Sequence, residues 1–355
     1  MRYFQNMDDL MFYKDPNSFN KYTNKDILKF AIGANMYMPG TKTDVFDKLI
    51  HNKFQEVGAI TLCLEDAIAP EDVEIAEKNV LKILTNLAKK CEQDPSLIDE
   101  LPLIFIRVRN PEEFEEFSKR LTKEQLTMLC GFNFPKFNYD NGDWYFSTLE
   151  RLSANHQEVL YGMPILEDET IIYKETRFES LEKIQKILDK YHQFVLNIRV
   201  GGTDFSSLYG LRRNKYTTIY QVHVVQDCLM DILNFFLRSE KGYVVSGPVW
   251  EFFSWEKDSI ENQNLKKELR LDIQNGFQGK TIIHPSQINI VNRAYAVDYY
   301  EYLDAISILG ASGGVFKSAC GHRMNEVKPH TNWAKKVVAK AEIFGVLDKT
   351  ASLEE

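Results

Sequence analysis

The chain has few of the residues that hold disulfide-rich or zinc-dependent proteins together. Its 355 residues include five cysteines and seven histidines. No two cysteines form a CxxC pair, and their number is odd: Cys63, Cys91, Cys130, Cys228 and Cys320. No two histidines have the HxxxH spacing of a helical metal site. We therefore expect neither a disulfide framework nor a structural zinc site, and we expect a reducing compartment.

Long apolar runs and an excess of positive charge are also absent from the sequence. No stretch approaches the roughly 18 uncharged apolar residues of a membrane helix. Lys and Arg number 43 against 51 Asp and Glu, a formal net charge of -8, whereas nucleic acids and anionic lipids attract clustered cations. Asp8 and Asp9 stand where a signal peptide has a basic region. We expect a cytoplasmic protein with no nucleic-acid partner and no membrane partner.

Short apolar runs alternate along the chain with amphipathic segments of helix length, at residues 70–90, 112–120, 178–191 and 220–238. This alternation predicts βα units around a parallel sheet. The predicted strands are residues 30–38, 59–64, 103–108, 128–134, 159–166, 194–200, 242–246 and 281–283. Eight such strands predict an α/β fold, the (β/α)8 TIM barrel, in roughly the 250 residues typical of it. An open, doubly wound sheet is the structural alternative.

The chain is predicted to form one large domain with an extension at each end. No internal repeat, low-complexity tract or linker interrupts it. We expect an N-terminal extension at residues 1–29 and a TIM-barrel catalytic domain at residues 30–298. Residues 299–355, which include a glycine-rich turn and a predicted helix at about 332–344, form a C-terminal helical extension.

Charged residues follow most of the predicted strands. In a parallel barrel, the loops at the carboxyl ends of the strands build the active site. The charged residues at these ends are Glu65, Asp66, Arg107, Arg109, Lys136, Glu167, Arg199 and Asp204. We therefore expect a convergent polar cluster at one mouth of the barrel.

Two carboxylates of this set, Glu167 and Asp204, come from different strands and are candidate ligands for an oxygen-preferring divalent ion. Mg²⁺ commonly takes one or two protein carboxylates and leaves its other positions to water and substrate. An arginine nearby can clamp a carboxylate or a phosphate. The combination favours a reaction that builds negative charge on an oxygen, such as an enolate, next to a Lewis-acidic metal.

Three motifs resemble the citrate lyase β-subunit-like (HpcH/HpaI aldolase/citrate lyase) family, and the resemblance extends from about Gly33 to Phe344. Residues 36–40 (Met-Tyr-Met-Pro-Gly) resemble the end of the family's first strand. Residues 62–70 (Leu-Cys-Leu-Glu-Asp-Ala-Ile-Ala-Pro) resemble its second-strand signature, and residues 276–288 resemble its eighth-strand motif. The chain is most similar to a divergent branch of carbon–carbon bond lyases with a TIM-barrel fold, which is associated with tellurium-resistance-type operons.

The resemblance implies roles for individual residues. It implies that Glu167 and Asp204 bind Mg²⁺ (or Mn²⁺) and that Arg107 binds the substrate's carboxylate or carbonyl. The acidic pair Glu65 and Asp66 would border the metal's water shell and take part in catalysis. The remaining substrate-binding residues would be Arg109, Lys136, Arg199, Gly202 and Thr203.

The C-terminal extension departs from the family pattern in a catalytic position. Residues 321–326 (Gly-His-Arg-Met-Asn-Glu) resemble a segment that reaches a neighbouring subunit's active site in the family. Glu326 stands where the family has an Asp that acts in acid–base catalysis. The side chain of Glu326 is one methylene longer than that Asp. The resemblance implies that Glu326 is catalytic and that the protein is a homotrimer or hexamer. The extra cations Arg109 and Arg199 suggest a more anionic substrate, and they put recognition of CoA in doubt.

The sequence therefore predicts a Mg²⁺-dependent carbon–carbon lyase of the EC 4.1 type. The expected reaction is a retro-aldol or retro-Claisen cleavage, or the reverse condensation. The expected partner is a small anionic metabolite: a 3-hydroxy-acid, an acyl-CoA thioester or a sugar phosphate. Three alternatives remain open: a thioester hydrolase of the same family, an aldolase that forms a Schiff base through Lys136, and a non-catalytic metabolite-binding scaffold.

Overall fold

The computed structural model describes residues 1–7, 10–51 and 56–350. Its strands are β1 (Phe12–Lys14), β2 (Ala34–Pro39), β3 (Ala59–Cys63), β4 (Leu103–Arg107), β5 (Gly131–Phe134), β6 (Tyr161–Leu166), β7 (Arg199–Val200), β8 (Lys280–Ile282), β9 (Val315–Lys317), β10 (Met324–Glu326) and β11 (Val346–Leu347). Its α-helices are α1 (Lys25–Leu28), α2 (Val45–Ile50), α3 (Val73–Gln93), α4 (Pro111–Ser118), α5 (Lys123–Met128), α6 (Gly142–His156), α7 (Glu169–Ile172), α8 (Lys174–Lys190), α9 (Gly202–Ser207), α10 (His223–Leu237), α11 (Ile260–Asn275), α12 (Ile288–Tyr295), α13 (Tyr299–Gly310) and α14 (Val327–Phe344). Short 3₁₀ helices lie at Pro70–Asp72, Pro95–Asp99, His192–Phe194, Ile219–Gln221 and Pro285–Gln287.

The central sheet is parallel, with the strand order β7-β6-β5-β4-β3-β2-β8. The first strand of this sheet along the chain, β2, pairs with β3 and also with β8, the last strand of the sheet along the chain. Residues 245–247 close the remaining gap between β7 and β8. There Val245 forms a parallel bridge with Ile198, and Gly247 forms one with Lys280. The sheet thus curls into the (β/α)8 TIM barrel that the sequence predicts.

Several predicted strands are shorter than expected. Of the predicted residues 30–38, β2 begins only at Ala34, and of the predicted residues 128–134, β5 begins only at Gly131. Two other predicted strands are shortened most. β7 is confined to Arg199–Val200, within the predicted 194–200. The predicted strand 242–246 pairs with its neighbours only through isolated bridges. It begins at Gly242, whose φ is +66°, and Pro248, which has no N–H to donate to a ladder, follows it. These two residues limit the pairing on either side.

The other strands and the helices follow the apolar pattern of the sequence. Every residue of β3, β4 and β6 is buried, as expected for parallel strands covered on both faces. Each predicted helix is present, as α3, α4, α8, α10 and α14, with shifts of a few residues at the ends. In α8 the predicted apolar stripe of Leu181, Ile184, Ile187 and Leu188 is buried. Among the described residues, no helix is long and apolar enough to cross a membrane.

The first residues of the chain pack against its last helix at the amino-terminal end of the barrel. Tyr3 is fully buried and stacks on Phe344, with ring centroids 4.6 Å apart. Its hydroxyl donates a hydrogen bond to Ala31 O at 2.9 Å. Strand β1 pairs antiparallel with β11. The two ends of the chain therefore form one layer, on the barrel face opposite the predicted active site.

The residues after the barrel form a smaller unit with its own apolar cluster. Helices α13 and α14 pack together around Ala305, Ile308, Ala334 and Val337. Strands β9 and β10 form an antiparallel hairpin between these helices. Residues 351–355, the end of the predicted C-terminal extension, lie outside the described residues.

Candidate active site

Arg107, the last residue of β4, lies at the centre of a cluster of carboxylates at the barrel mouth. Its Nη2 lies 2.6 Å from Glu65 Oε2, 2.9 Å from Asp66 Oδ2 and 3.3 Å from Glu167 Oε1. Glu65 and Asp66 follow β3, and Glu167 follows β6. Burial disfavours the charge of Arg107, but Glu167 and Glu65 raise the pKa of the guanidinium above its usual value. The cluster therefore contains a permanent buried cation.

Lys136, after β5, adds a second cation to the cluster. Its Nζ forms an ion pair with Glu65 and lies 3.5 Å from Asp66 Oδ1. Its main-chain N–H donates to Glu167 Oε1 at 2.9 Å. The backbone of Lys136 has a φ of +48°, the left-handed region that a residue with a side chain seldom adopts. Lys136 adopts this conformation where its main-chain N–H donates the hydrogen bond to Glu167.

Glu167 and Asp204 come together on either side of Gly201. A Cβ placed on Gly201 would lie 2.3 Å from Glu167 Oε2 and 3.1 Å from Asp204 Oδ2. Only glycine therefore leaves room for both carboxylates. Glu167 is buried, whereas Asp204, in the first turn of α9, is half-buried.

The environment of the carboxylates separates their proton affinities. Burial raises the pKa of Glu167; Arg107 opposes that rise and the charge of Asp204 adds to it. Burial also raises the pKa of Glu65, against the effect of Arg107. At Asp66 burial is outweighed by hydrogen bonding to Glu65 and by Arg107, so its pKa is lowered. The site thus holds neighbouring carboxyl groups with different tendencies to carry a proton, as acid–base chemistry requires.

The two carboxylates beside Gly201, those of Glu167 and Asp204, are suitable ligands for a magnesium ion. Within residues 1–7, 10–51 and 56–350, no three His, Cys, Asp or Glu side chains converge on one point as a complete metal site. Mg²⁺ does not need one, because one or two carboxylates with water and substrate oxygens satisfy it. Glu167 follows β6 and Asp204 lies in α9, and both carboxylates approach Gly201 so closely that a Cβ there would overlap Glu167.

The two additional arginines predicted to bind substrate lie in different places. Arg109 is half-buried; its Nε pairs with Glu113 at 3.0 Å and its Nη1 donates to Leu64 O at 3.2 Å. Within the described residues, no hydrogen bond or ion pair joins Arg109 to the carboxylates around Arg107. Arg199 points into the barrel, 2% exposed, and its Nη2 donates to the hydroxyl of Thr281.

Gly202 and Thr203, also predicted to bind substrate, open the helix that carries Asp204. A Cβ on Gly202 would lie 2.8 Å from Pro248 Cβ, so close packing is one reason for glycine there. Thr203 is exposed.

Glu326 lies apart from the carboxylate cluster. It ends β10, and its main-chain N–H donates to His330 Nδ1 at 3.0 Å. In the described part of this single chain, no hydrogen bond or ion pair joins its side chain to the Arg107 cluster. Its assignment as an acid–base group stays a prediction.

Two polar residues inside the strands, Asn133 and Tyr37, contribute to the barrel interior without being marked by charge at a strand end. Asn133 Nδ2 donates to Tyr37 Oη at 2.7 Å and to Thr61 Oγ1 at 3.1 Å, in the barrel interior. The ring of Tyr37 lies over the guanidinium of Arg199, with 5.9 Å from Cζ to the ring centroid. The sequence feature that could have revealed both residues is a polar side chain at an inward position of an otherwise apolar strand. A search limited to the residues at strand ends does not find them.

The chain matches a family model over nearly its whole length. The model describes C–C bond lyases of the TIM-barrel fold and matches residues 26–346. No functionally curated protein matches the chain.

Solved structures with the same fold share little sequence with the chain. CitE from Mycobacterium tuberculosis, in complex with magnesium, acetoacetate and coenzyme A, is 18% identical with a TM-score of 0.56, over 88% of this chain and 99% of CitE. Malate synthase from Haloferax volcanii is 12% identical with a TM-score of 0.55, over 74% of this chain and 73% of that one. RipC from Yersinia pestis is 14% identical with a TM-score of 0.50, over 75% and 95%. At these identities the likeness establishes the fold.

Proposed function

Because the chain belongs to the C–C bond lyases of the TIM-barrel fold, we propose that it is a Mg²⁺-dependent lyase. The reaction is a retro-aldol or retro-Claisen cleavage, or the reverse condensation. The observation that carries the proposal is the meeting of Glu167 and Asp204 at Gly201, with the buried cation Arg107 in contact with Glu167. Mn²⁺ is the alternative ion, since it also prefers oxygen ligands.

The residues around the metal position have distinct parts in this proposal. An ion held by Glu167 and Asp204 supplies a Lewis acid for charge that develops on a substrate oxygen. Arg107 orients the substrate's carboxylate or carbonyl through a guanidinium whose charge is fixed. Glu65 and Asp66 take part in proton transfer near that oxygen. Substrate contacts are assigned to Lys136, Arg109, Arg199, Gly202 and Thr203.

Glu326 is proposed to act in the active site of a neighbouring subunit. The proposed division of the chain is an extension at residues 1–29, a catalytic barrel at 30–298 and a second extension at 299–355. The absence of a contact between Glu326 and the cluster of its own described chain favours action across an interface. A homotrimer or hexamer would provide such an interface.

The proposed substrate is a small anionic metabolite. Two buried cations at the mouth and in the barrel, Arg107 and Arg199, support an anionic ligand. The related CitE structure contains acetoacetate and coenzyme A. A 3-hydroxy-acid, a CoA thioester and a sugar phosphate are the candidate classes, and the cytoplasm is the proposed location.

A calorimetric titration with Mg²⁺ tests the metal site without knowledge of the substrate. We expect Glu167→Gln and Asp204→Asn each to weaken Mg²⁺ binding by at least roughly 10-fold, because loss of a group that only orients a metal ligand already costs about 10- to 100-fold. Glu182→Gln is the matched control, because Glu182 is exposed on α8. Unchanged Mg²⁺ affinity in a folded variant that combines Glu167→Gln with Asp204→Asn would refute the metal site.

A further inference from the structure

A buried network of charged side chains joins helix α11 to strand β8 and to two loops at the barrel mouth. Glu268 and Asp272 of α11 and Lys280 of β8 are each completely buried. Lys280 Nζ lies 3.0 Å from Glu268 Oε1 and 2.7 Å from Asp272 Oδ2. Glu268 Oε2 accepts a hydrogen bond from Arg213 Nη1 at 2.6 Å. Buried ion pairs add little net stability over apolar packing of the same volume, so their main effect is on the geometry of the segments that they join.

Arg213 connects this network to both loops. It belongs to the loop after α9, and its side chain is 3% exposed. Besides its bond to Glu268, its Nε donates to Glu251 Oε2 at 2.9 Å, and its Nη2 donates to the main-chain oxygen of Val249. Val249 and Glu251 belong to the second loop, which follows the predicted strand 242–246. A single guanidinium therefore holds the two loops against each other and against α11.

The same network holds the residues against which helix α9 begins. Glu268 Oε2 also accepts a hydrogen bond from the main-chain N–H of Ile219 at 2.8 Å. A Cβ placed on Gly202, the first residue of α9, would lie 2.8 Å from Pro248 Cβ and 3.4 Å from Ile219 Cδ1. Ile219 is held directly by Glu268, and Pro248 lies in the second loop, which the guanidinium holds. The first turn of α9, which contains Asp204, is therefore packed against residues that the network fixes.

The second carboxylate of α11 contacts the neighbours of these two residues. Asp272 Oδ1 accepts a hydrogen bond from Tyr220 Oη at 2.7 Å, and Tyr220 follows Ile219 in the chain. A Cβ placed on Gly247, which precedes Pro248, would lie 2.9 Å from Asp272 Oδ2. Each loop thus contacts the charges of α11 at more than one position, and neither loop can shift without breaking a buried hydrogen bond.

We propose that Arg213 and Glu268 are positioning residues for Asp204, and that through α9 they set the affinity of the metal site. Neither residue touches the metal position; they act by holding the loops on which the first turn of α9 rests. The inference rests on the proposed Mg²⁺ site. It adds to that site a support that lies outside the cluster around Arg107.

Calorimetric titration of the full-length protein with Mg²⁺ tests the positioning role. We expect Glu268→Gln and Arg213→Met each to weaken Mg²⁺ binding by about tenfold, the lower end of the range for groups that act behind a metal ligand. Arg213→Lys keeps the charge beside Glu268 but lacks the planar fork that reaches several acceptors at once. Its Mg²⁺ affinity should therefore lie between those of the wild type and Arg213→Met.

Glu158→Gln is the matched control, because it breaks a buried ion pair at the opposite end of the barrel. The Glu158 side chain is 9% exposed, and its Oε2 lies 3.0 Å from Lys21 Nζ, shortly before β6 begins. Loss of one partner of a buried pair destabilises a protein, so the control and the network variants should all unfold at lower temperature. Only the network variants should also lose Mg²⁺ affinity.

Two results would overturn the positioning role while the metal site stands. One is wild-type Mg²⁺ affinity in folded Glu268→Gln and Arg213→Met, which would make the network purely structural. The other is an equal loss of Mg²⁺ affinity in Glu158→Gln, which would indicate general loosening. If only Arg213→Lys folds, wild-type affinity in that variant overturns the role. Failure of the metal site itself differs, because the wild-type protein would then give no binding heat with Mg²⁺, and the inference would fall with it.

Discussion

At the scale of single residues, two backbone positions fix the side chain of Glu167. Lys136 holds a left-handed φ of +48° while its amide donates to Glu167 Oε1. Such a conformation costs on the order of 1–3 kcal/mol and is found where the surrounding structure enforces it. Gly201 leaves the space that the carboxylate of Glu167 occupies. Both features orient a side chain that we propose as a metal ligand.

Gly201→Ala should displace Glu167 and weaken Mg²⁺ binding by roughly 10- to 100-fold. The added Cβ would lie 2.5 Å from Glu167 Cβ, closer than such atoms approach in proteins. Calorimetry measures the loss, and Gly310→Ala is the control, because no heavy atom lies within 4 Å of a Cβ placed there. Tight Mg²⁺ binding by Gly201→Ala would show that Glu167 is not held as a ligand by this contact.

Lys136 should act as a charge and not as a Schiff-base nucleophile. Burial lowers the affinity of its amine for a proton, but Glu65 and Asp66 outweigh burial and raise the pKa of Lys136. An amine that stays protonated at neutral pH is a poor nucleophile. Lys136→Arg should therefore retain more lyase activity than Lys136→Met, and borohydride should trap no adduct with substrate. A trapped adduct at Lys136, lost in Lys136→Arg, would establish the Schiff-base aldolase instead.

At the scale of structural elements, Asp304 of α13 organises the β9–β10 hairpin that ends in Glu326. Its Oδ1 accepts hydrogen bonds from Ala319 N at 2.6 Å and Asn325 Nδ2 at 2.9 Å. Its Oδ2 accepts from Arg323 Nη2 at 2.8 Å. Burial opposes the charge of Asp304, but these hydrogen bonds outweigh it and lower the pKa of the carboxyl. The hairpin is thus held by one ionised side chain.

Asp304→Asn should loosen the hairpin without unfolding the barrel. Hydrogen bonds to a charged group contribute about 1.5–3 kcal/mol each, so hydrogen exchange at residues 315–326 should become faster. Asp258→Asn, at an exposed acidic residue, is the control. Exchange rates that match the wild type would contradict the organising role of Asp304.

The lowered pKa of the Asp304 carboxyl group also predicts that the β9–β10 hairpin loses stability in acid. Because the folded pKa of Asp304 is lowered, its stabilisation is complete above the ordinary Asp pKa of about 3.9 and is lost as the pH falls through the lower folded value. Hydrogen exchange at residues 315–326 should therefore accelerate below about pH 4 relative to the barrel strands. In Asp304→Asn this additional acid sensitivity should disappear; its persistence would assign it to another group.

The elements also show how far the sequence could predict the structure. β3 and β4 were predictable, because strands buried on both faces are continuous apolar runs. Residues 242–246 satisfy the same pattern but form only bridges, since Gly242 and Pro248 limit pairing in a way that apolar content does not reveal. The carboxylates at strand ends were predictable from their position. The pairing of Arg213 with Glu268 was not, because it depends on how the loop after α9 meets α11.

At the scale of the whole molecule, the first residues of the chain and helix α14 meet at the amino-terminal end of the barrel. Tyr3 was part of a segment whose role the sequence did not indicate, and it is fully buried between the barrel and Phe344. A Cβ on Gly58 would overlap the Tyr3 hydroxyl, so the barrel is shaped to accept this ring. The amino-terminal face of such barrels contributes stability and not chemistry.

Tyr3→Ala should lower the free energy of unfolding by about 3–5 kcal/mol, the range for large aromatic-to-alanine changes in a core. Tyr3→Phe removes only the hydrogen bond to Ala31 O and should cost about 1 kcal/mol. Denaturant unfolding measures both, and Mg²⁺ affinity should be unchanged in the folded variants. A negligible effect of Tyr3→Ala would show that the terminal layer is not part of the cooperative unit.

The central claim is that the protein cleaves a carbon–carbon bond with the help of a divalent ion. Mass spectrometry of reaction mixtures with 3-hydroxy-acids, their CoA thioesters and sugar phosphates measures this most directly. We expect two fragments whose carbon atoms sum to those of the substrate, formed with Mg²⁺ and suppressed by EDTA and by Glu167→Gln. Release of free CoA with the carbon skeleton intact, or cleavage that persists in EDTA, would contradict it.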